Sequence, residues 1–112
     1  MTKVGEGNQP PQEPSVQKYR DQIDQGSLKF LNALDSYNFE GDYQQKLQLK
    51  AVMDEQLALI RSAVNEVKRA GIYKQDVKVE NDYEAYMRNK TPDNLSALQQ
   101  DVVTLREYTK YD

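Results

Sequence analysis

DYQQKLQLKAVMDEQLALIRSAVNEVKRAG, residues 42–71, is the one stretch long and periodic enough to nucleate a core. Asp42 with Gln45 three residues on reads as an N-cap with a capping-box partner. Gly71, behind Lys68, Arg69 and Ala70, reads as a C′ glycine after a cationic last turn. Between them the spacing predicts a helix of about eight turns. Leu49, Val52, Met53, Leu57, Ile60, Ala63, Val64 and Val67 recur at steps of three and four and draw one broad apolar stripe. Such a face has to be covered by another element.

Upstream, a second stripe of Val16, Tyr19, Ile23, Phe30, Leu31, Leu34 and Tyr37 predicts a helix from an N-cap at Ser15 to about Tyr37. Gly26-Ser27 interrupts it, and a helical glycine costs up to about 1 kcal/mol relative to alanine. The helix is therefore either kinked there or begins at Ser27. Asn38-Phe39-Glu40-Gly41 makes the turn, and so short a link forces the two helices antiparallel, giving a hairpin over residues 15–71. Residues 1–14 (MTKVGEGNQPPQEP) hold three of the four prolines and little that is apolar, which predicts a disordered tail. A polyproline-type ligand or an export signal is the functional alternative for it.

Downstream of Gly71 the pattern weakens. Ile72, Tyr73, Val77 and Val79 are separated by Lys, Gln and Asp, and with no second strand to join they read as an extended linker. Asn81 with Glu84 is a further capping-box pair and opens a short helix with Tyr83, Tyr86 and Met87. Thr91-Pro92-Asp93 supplies a cap, a proline at N1 and an acid in the first turn of the last helix. That helix carries Leu95, Leu98, Val102 and Leu105, with Thr109 in step, a narrow seam of the coiled-coil kind. The fold expected is all-α: one domain over 15–112, with shorter C-terminal helices over 81–110 folded on the hairpin or held by a partner.

Composition excludes several classes of function. The chain of 112 residues has no cysteine and no histidine, which removes disulfides, thiolate chemistry and the usual transition-metal ligands. Its net charge of −3 is spread along the chain without a basic stripe, so the electrostatic footprint of nucleic-acid binding is missing. No apolar run approaches the roughly 20 residues of a bilayer span, and the N-terminus lacks a signal-peptide core. A cytoplasmic protein, or one exported by a route that does not read such a peptide, is expected.

Carboxylates are the only candidate acid–base groups. Asp54-Glu55, Asp21-Asp24 and Glu80-Asp82 lie among Lys, Gln and Asn on polar faces, which reads as solvated surface, not as an acid with a raised pKa. The acids at 76, 80, 82 and 84 lack the glycine and the residue order of an EF-hand loop, so no metal and no cofactor is expected. Eight tyrosines against no tryptophan is the unusual feature of composition, and tyrosine suits both the rim of a small core and an interface. Tyr83, Tyr86, Tyr108 and Tyr111 are expected near one another if the last two helices form a hairpin.

Two stretches resemble known families. Phe39-Glu40-Gly41 between two helices, with Tyr108 and Asp112 near the end, resembles the WxG hairpin proteins of type VII secretion, with phenylalanine where that family has tryptophan. Residues 92–111, with Pro92-Asp93-Asn94, Leu98 and Leu105-Arg106-Glu107-Tyr108-Thr109-Lys110-Tyr111, resemble the turn and following helix of type III secretion needle subunits. Leu95 replaces that family's second turn proline, and the chain stops where a needle subunit continues. The second resemblance implies a related secretion-apparatus subunit or chaperone. The sequence thus points to a small protein–protein interaction module whose partner-binding residues are Leu95, Leu98, Val102, Leu105, Tyr108 and Tyr111. A structural homo-oligomer and a carboxylate-dependent enzyme are the competing classes. Both hairpin stripes exceed what one narrow helix can cover, so self-association or a bound partner is expected.

Overall fold

The computed structural model describes residues 14–111, so the tail expected over 1–14 lies outside the described residues except for Pro14, which already belongs to the first helix. Four helices follow: α1 (Pro14–Phe39), α2 (Tyr43–Val67), α3 (Ala70–Arg88) and α4 (Pro92–Tyr111). Only residues 40–42, 68–69 and 89–91 link them, and links this short leave each helix antiparallel to the one before. Cross-helix contacts agree in direction. Gly26 faces Gln56 and Ile60, Asp54 and Arg61 meet Tyr83 and Asp76, Gln75 meets Asp101, and Asp24 and Arg20 meet Arg106 and Thr109. The result is an up-down-up-down bundle in which α4 closes the ring against α1, and α2 against α3 is its loosest seam. Diagonally, α1 and α3 meet only through side chains, with the rings of Phe30 and Tyr83 edge-on at 5.5 Å.

Start signals act much as the sequence predicts. Asp42 Oδ2 accepts the backbone N–H of Gln45 at 3.0 Å, while Glu40 rather than Gln45 closes the box by accepting the N–H of Asp42. Thr91 Oγ1 accepts from the N–H of Asn94 at 3.1 Å, with Pro92 at N1. The stop signal acts elsewhere. Lys68, not Gly71, takes the left-handed conformation (φ 59°, ψ 42°), its N–H donating to the Val64 carbonyl, and Arg69 is extended before α3 begins at Ala70. A left-handed non-glycine residue costs about 1–2 kcal/mol, which the immediate reversal offsets by burying Ile72 and Val79.

The linker expected over 72–80 is therefore helix, and Asn81 and Glu84 lie inside it rather than at a start. The buried stripe of α3 is Ile72, Gln75, Asp76, Val79, Tyr83 and Tyr86. Two polar members hide its helical period, leaving Val77 and Val79 to suggest strand-like alternation.

Nor is α1 interrupted at Gly26. The glycine is the point of closest approach between α1 and α2: a Cβ there would lie 2.9 Å from Ile60 Cγ1. Gly71, in the first turn of α3, meets nothing within 4 Å. Alanine should therefore have opposite effects at the two positions. Gly71→Ala should gain about 0.5–1 kcal/mol of helix propensity. At Gly26 the same gain is outweighed by overpacking of about 1–3 kcal/mol, because Ile60 is fully buried and β-branched and its Cγ1 cannot swing away. Thermal melting of the two variants should show one midpoint raised and the other lowered; two shifts of the same sign would contradict this account of α1 and α2.

Candidate interaction surface

The face that α2 and α3 turn outward along their shared seam is built by steps of four and seven residues on both helices. Lys50, Asp54 and Arg61 project from α2, and Tyr73, Glu80 and Glu84 from α3. A cleft of about 320 Å³ is lined by Lys50, Asp54, Leu57, Glu80, Tyr83 and Glu84, and a second of about 310 Å³ by Val64, Asn65, Lys68, Arg69, Ala70 and Tyr73. Arg61 stands between them. Its guanidinium reaches Glu80 Oε1 at 2.7 Å on one side and lies 5.8 Å from the ring centre of Tyr73 on the other, while its Nε donates to Asp76 Oδ2 at 2.6 Å.

Asp76 is the most deeply buried acid among the described residues. Its side chain has no exposed surface, and Oδ1 has no hydrogen-bond partner. Burial holds its carboxyl above the ordinary carboxylate range, against the opposing pull of the hydrogen bond and charge of Arg61. Glu80 is also raised, first by burial and then by the charge of Asp76. Arg61 is raised in turn, chiefly by its hydrogen bond to Asp76. The Tyr83 hydroxyl donates to Asp54 Oδ1 at 2.7 Å, and burial followed by that bond raises its pKa far above the ordinary tyrosine value. Both acids raised by burial, Asp76 and Glu80, are ion-paired with Arg61. The arrangement holds two helices together and presents charge.

The carboxylates read as solvated surface divide in two. Asp54 and Glu55 are exposed, whereas Asp24 accepts from Arg106 Nε at 2.9 Å and Glu80 belongs to the Arg61 cluster. Asp76, Glu80 and Glu84 follow one another on a helix and wrap no loop, and no three acidic side chains among the described residues are grouped to hold a metal ion.

Leu98, Val102 and Leu105 are buried in the chain's own core, at 0–1% exposure, and Leu95 packs half-buried against it. The seam of α4 thus closes on its own bundle. Tyr108 is exposed, and the side chain of Tyr111 lies outside those described. The expected tyrosine group is not formed. Because α3 and α4 run antiparallel, Tyr83 and Tyr86 sit near their turn and Tyr108 at the opposite end, with the Tyr86 hydroxyl donating to Asn38 Oδ1.

No family model, curated protein or solved structure matches the chain.

The apolar surface left over lies mainly on the first hairpin. Phe39 is 85% exposed and Tyr43 69%, flanking the α1–α2 turn, and Leu47 and Leu59 of α2 and Tyr73 of α3 are about half exposed. Tyr43 and Leu47 share the face of α2 that continues into Lys50 and Asp54. Sequence reasoning missed this surface because it weighed only the apolar residues on the α2 stripe and sought the partner face on α4. The available signal was Tyr43 and Leu47 at a four-residue step outside that stripe. No helix among the described residues is long and apolar enough to cross a membrane.

Proposed function

We propose that the chain works by binding another protein, as a small all-helical interaction module without catalytic activity of its own. The observation that carries this reading is the set of large apolar side chains left outside a closed core, above all Phe39 and Tyr43 beside the α1–α2 turn with Leu47 one helical turn further on. Exposed aromatic residues grouped around one short turn are the kind of anchor that protein interfaces use. An acid–base enzyme, by contrast, needs a free titrating group in a pocket, whereas Asp76 is fully buried and Glu80, which lines the first cleft, is ion-paired, both with Arg61. A secretion-apparatus subunit or chaperone is the specific form of the proposal, resting on the resemblance of residues 92–111.

Site-specific photo-crosslinking in the native host tests it. A benzophenone side chain replacing Phe39 or Leu47 should give discrete protein adducts, and one replacing the exposed Asn32 of α1 should not. Equal adducts at all three positions, or none at any, would count against the proposal. An adduct with a second copy of the chain, matched by concentration-dependent sedimentation, would identify the homo-oligomer.

A further inference from the structure

We infer that the α2–α3 groove is a docking site for a helix of another protein, basic in its first turns and acidic in its last. The inference rests on the interaction-module reading and specifies where and with what the module pairs. The two clefts form one track. Arg61 reaches a lining residue of each, and their floors are Leu57 and Val64, seven residues and hence two helical turns apart on α2. From Lys50 to Lys68 the track is about 27 Å long at 1.5 Å per residue, the length of a helix of about 18 residues. A groove between two antiparallel helices whose mutual packing is loose is the shape a third helix fills, with apolar anchors at i and i+7 over Leu57 and Val64.

Charge sets its composition and direction. The charged lining groups of the first cleft are Lys50, Asp54, Glu80 and Glu84, a surplus of two negative charges. Glu84 there has no ion-pair partner among the described residues. At the second cleft the charged lining groups are Lys68 and Arg69, and both are cations. A helix with lysines or arginines beside Glu80 and Glu84, and acids beside Lys68 and Arg69, satisfies both ends. Its macrodipole adds to this only if its N-terminus lies at the acidic cleft, so the docked helix runs parallel to α2. A second copy docking by its own α2–α3 face is the principal rival.

A synthetic stapled helix of about 18 residues tests this against the full chain labelled with nitrogen-15. The probe carries leucines at i and i+7, lysines in its first two turns and glutamates in its last; the control exchanges lysines and glutamates. Amide shifts should move along residues 47–68 and 73–84, and the control should bind at least about tenfold more weakly, roughly 1.4 kcal/mol. Glu84→Lys, at an exposed helical position, should reverse that preference, and Lys68→Glu should weaken the probe from the other end. Equal affinity for both peptides, shifts confined to α1 and α4, or no binding would overturn the inference. So would dimerisation of the unliganded protein that Glu84→Lys abolishes, since the occupant would then be a second copy. If crosslinks still form at Phe39 and Leu47 while the groove ignores both peptides, the interaction-module reading stands and the groove assignment alone fails.

Discussion

Leu98→Ala lowers the stability of the isolated protein by about 2–5 kcal/mol, a fall of roughly 10–20 °C in Tm for a domain of this size, while Tyr108→Ala leaves it within about 0.5 kcal/mol of the parent. The contrast follows from position on one helix. Leu98 has no exposed surface and belongs to the core cluster with Leu34, Ile72 and Leu105, so its removal leaves a cavity where α4 meets the rest of the bundle. Tyr108 lies on the same helix with 43% of its surface in water, and no hydrogen bond anchors its hydroxyl among the described contacts. Urea or thermal denaturation of both variants measures the difference. A silent Leu98→Ala would mean that α4 does not dock in solution and that its leucine seam is open to a partner.

Arg61→Ala should cost about 3 kcal/mol near neutral pH and should also change how stability responds to acid. Removing the guanidinium leaves the Asp76 carboxylate buried without a counter-charge; the estimate sits at the low end for such a loss because Arg61 is itself one-third exposed and admits water. The folded pKa of Asp76 already lies above its unfolded value through burial, and loss of Arg61 raises it further. A carboxyl of this kind is protonated more readily in the folded state. Its contribution to stability is therefore full below the ordinary carboxylate range and lost as pH rises through the raised value. Glu80 acts in the same sense. Relative to the parent, Arg61→Ala should recover part of its deficit between neutral pH and a pH near the ordinary carboxylate range. In an Asp76→Asn background, where no charge is stranded, the same replacement should cost much less and respond little to pH. Chemical denaturation at the two pH values over this double-mutant cycle checks both points, and a deficit independent of residue 76 would place the effect outside the pair.

Most of the fold was legible because its helices announce themselves by period and by caps. The α1–α2 hairpin, the Asp42 cap and the start of α4 at Pro92 all follow from residue types whose preferences are local. What escaped the sequence depends on contacts between distant residues. Gln75 and Asp76 occupy buried positions because Gln75 donates to the Asp101 carbonyl and Asp76 accepts from Arg61, and no local pattern reveals those partners. For the same reason α3 was read as a linker followed by a short helix. Gly26 looked like a defect and is a contact point, a difference visible only once Ile60 lies opposite. The closure of the α4 seam was hidden by the same logic. Four apolar positions on α4 announce a seam, but not whether the chain's own bundle closes it.

The even number of helices has a consequence for connectivity. Up-down-up-down order returns the chain to the end of the bundle from which α1 set out, where Arg20 donates to the Thr109 carbonyl and Arg106 pairs with Asp24. The start of α1 and the end of α4 are thus neighbours, while Gly41 sits in the turn at the far end with nothing crowding it. A circular permutant that joins the old ends through a flexible linker and opens the chain at Gly41 would keep every helix and every seam. It would also make α1 against α4 a pairing of sequence neighbours and α1 against α2 the distant one, so the order of assembly could be rewritten while the native contacts stay the same.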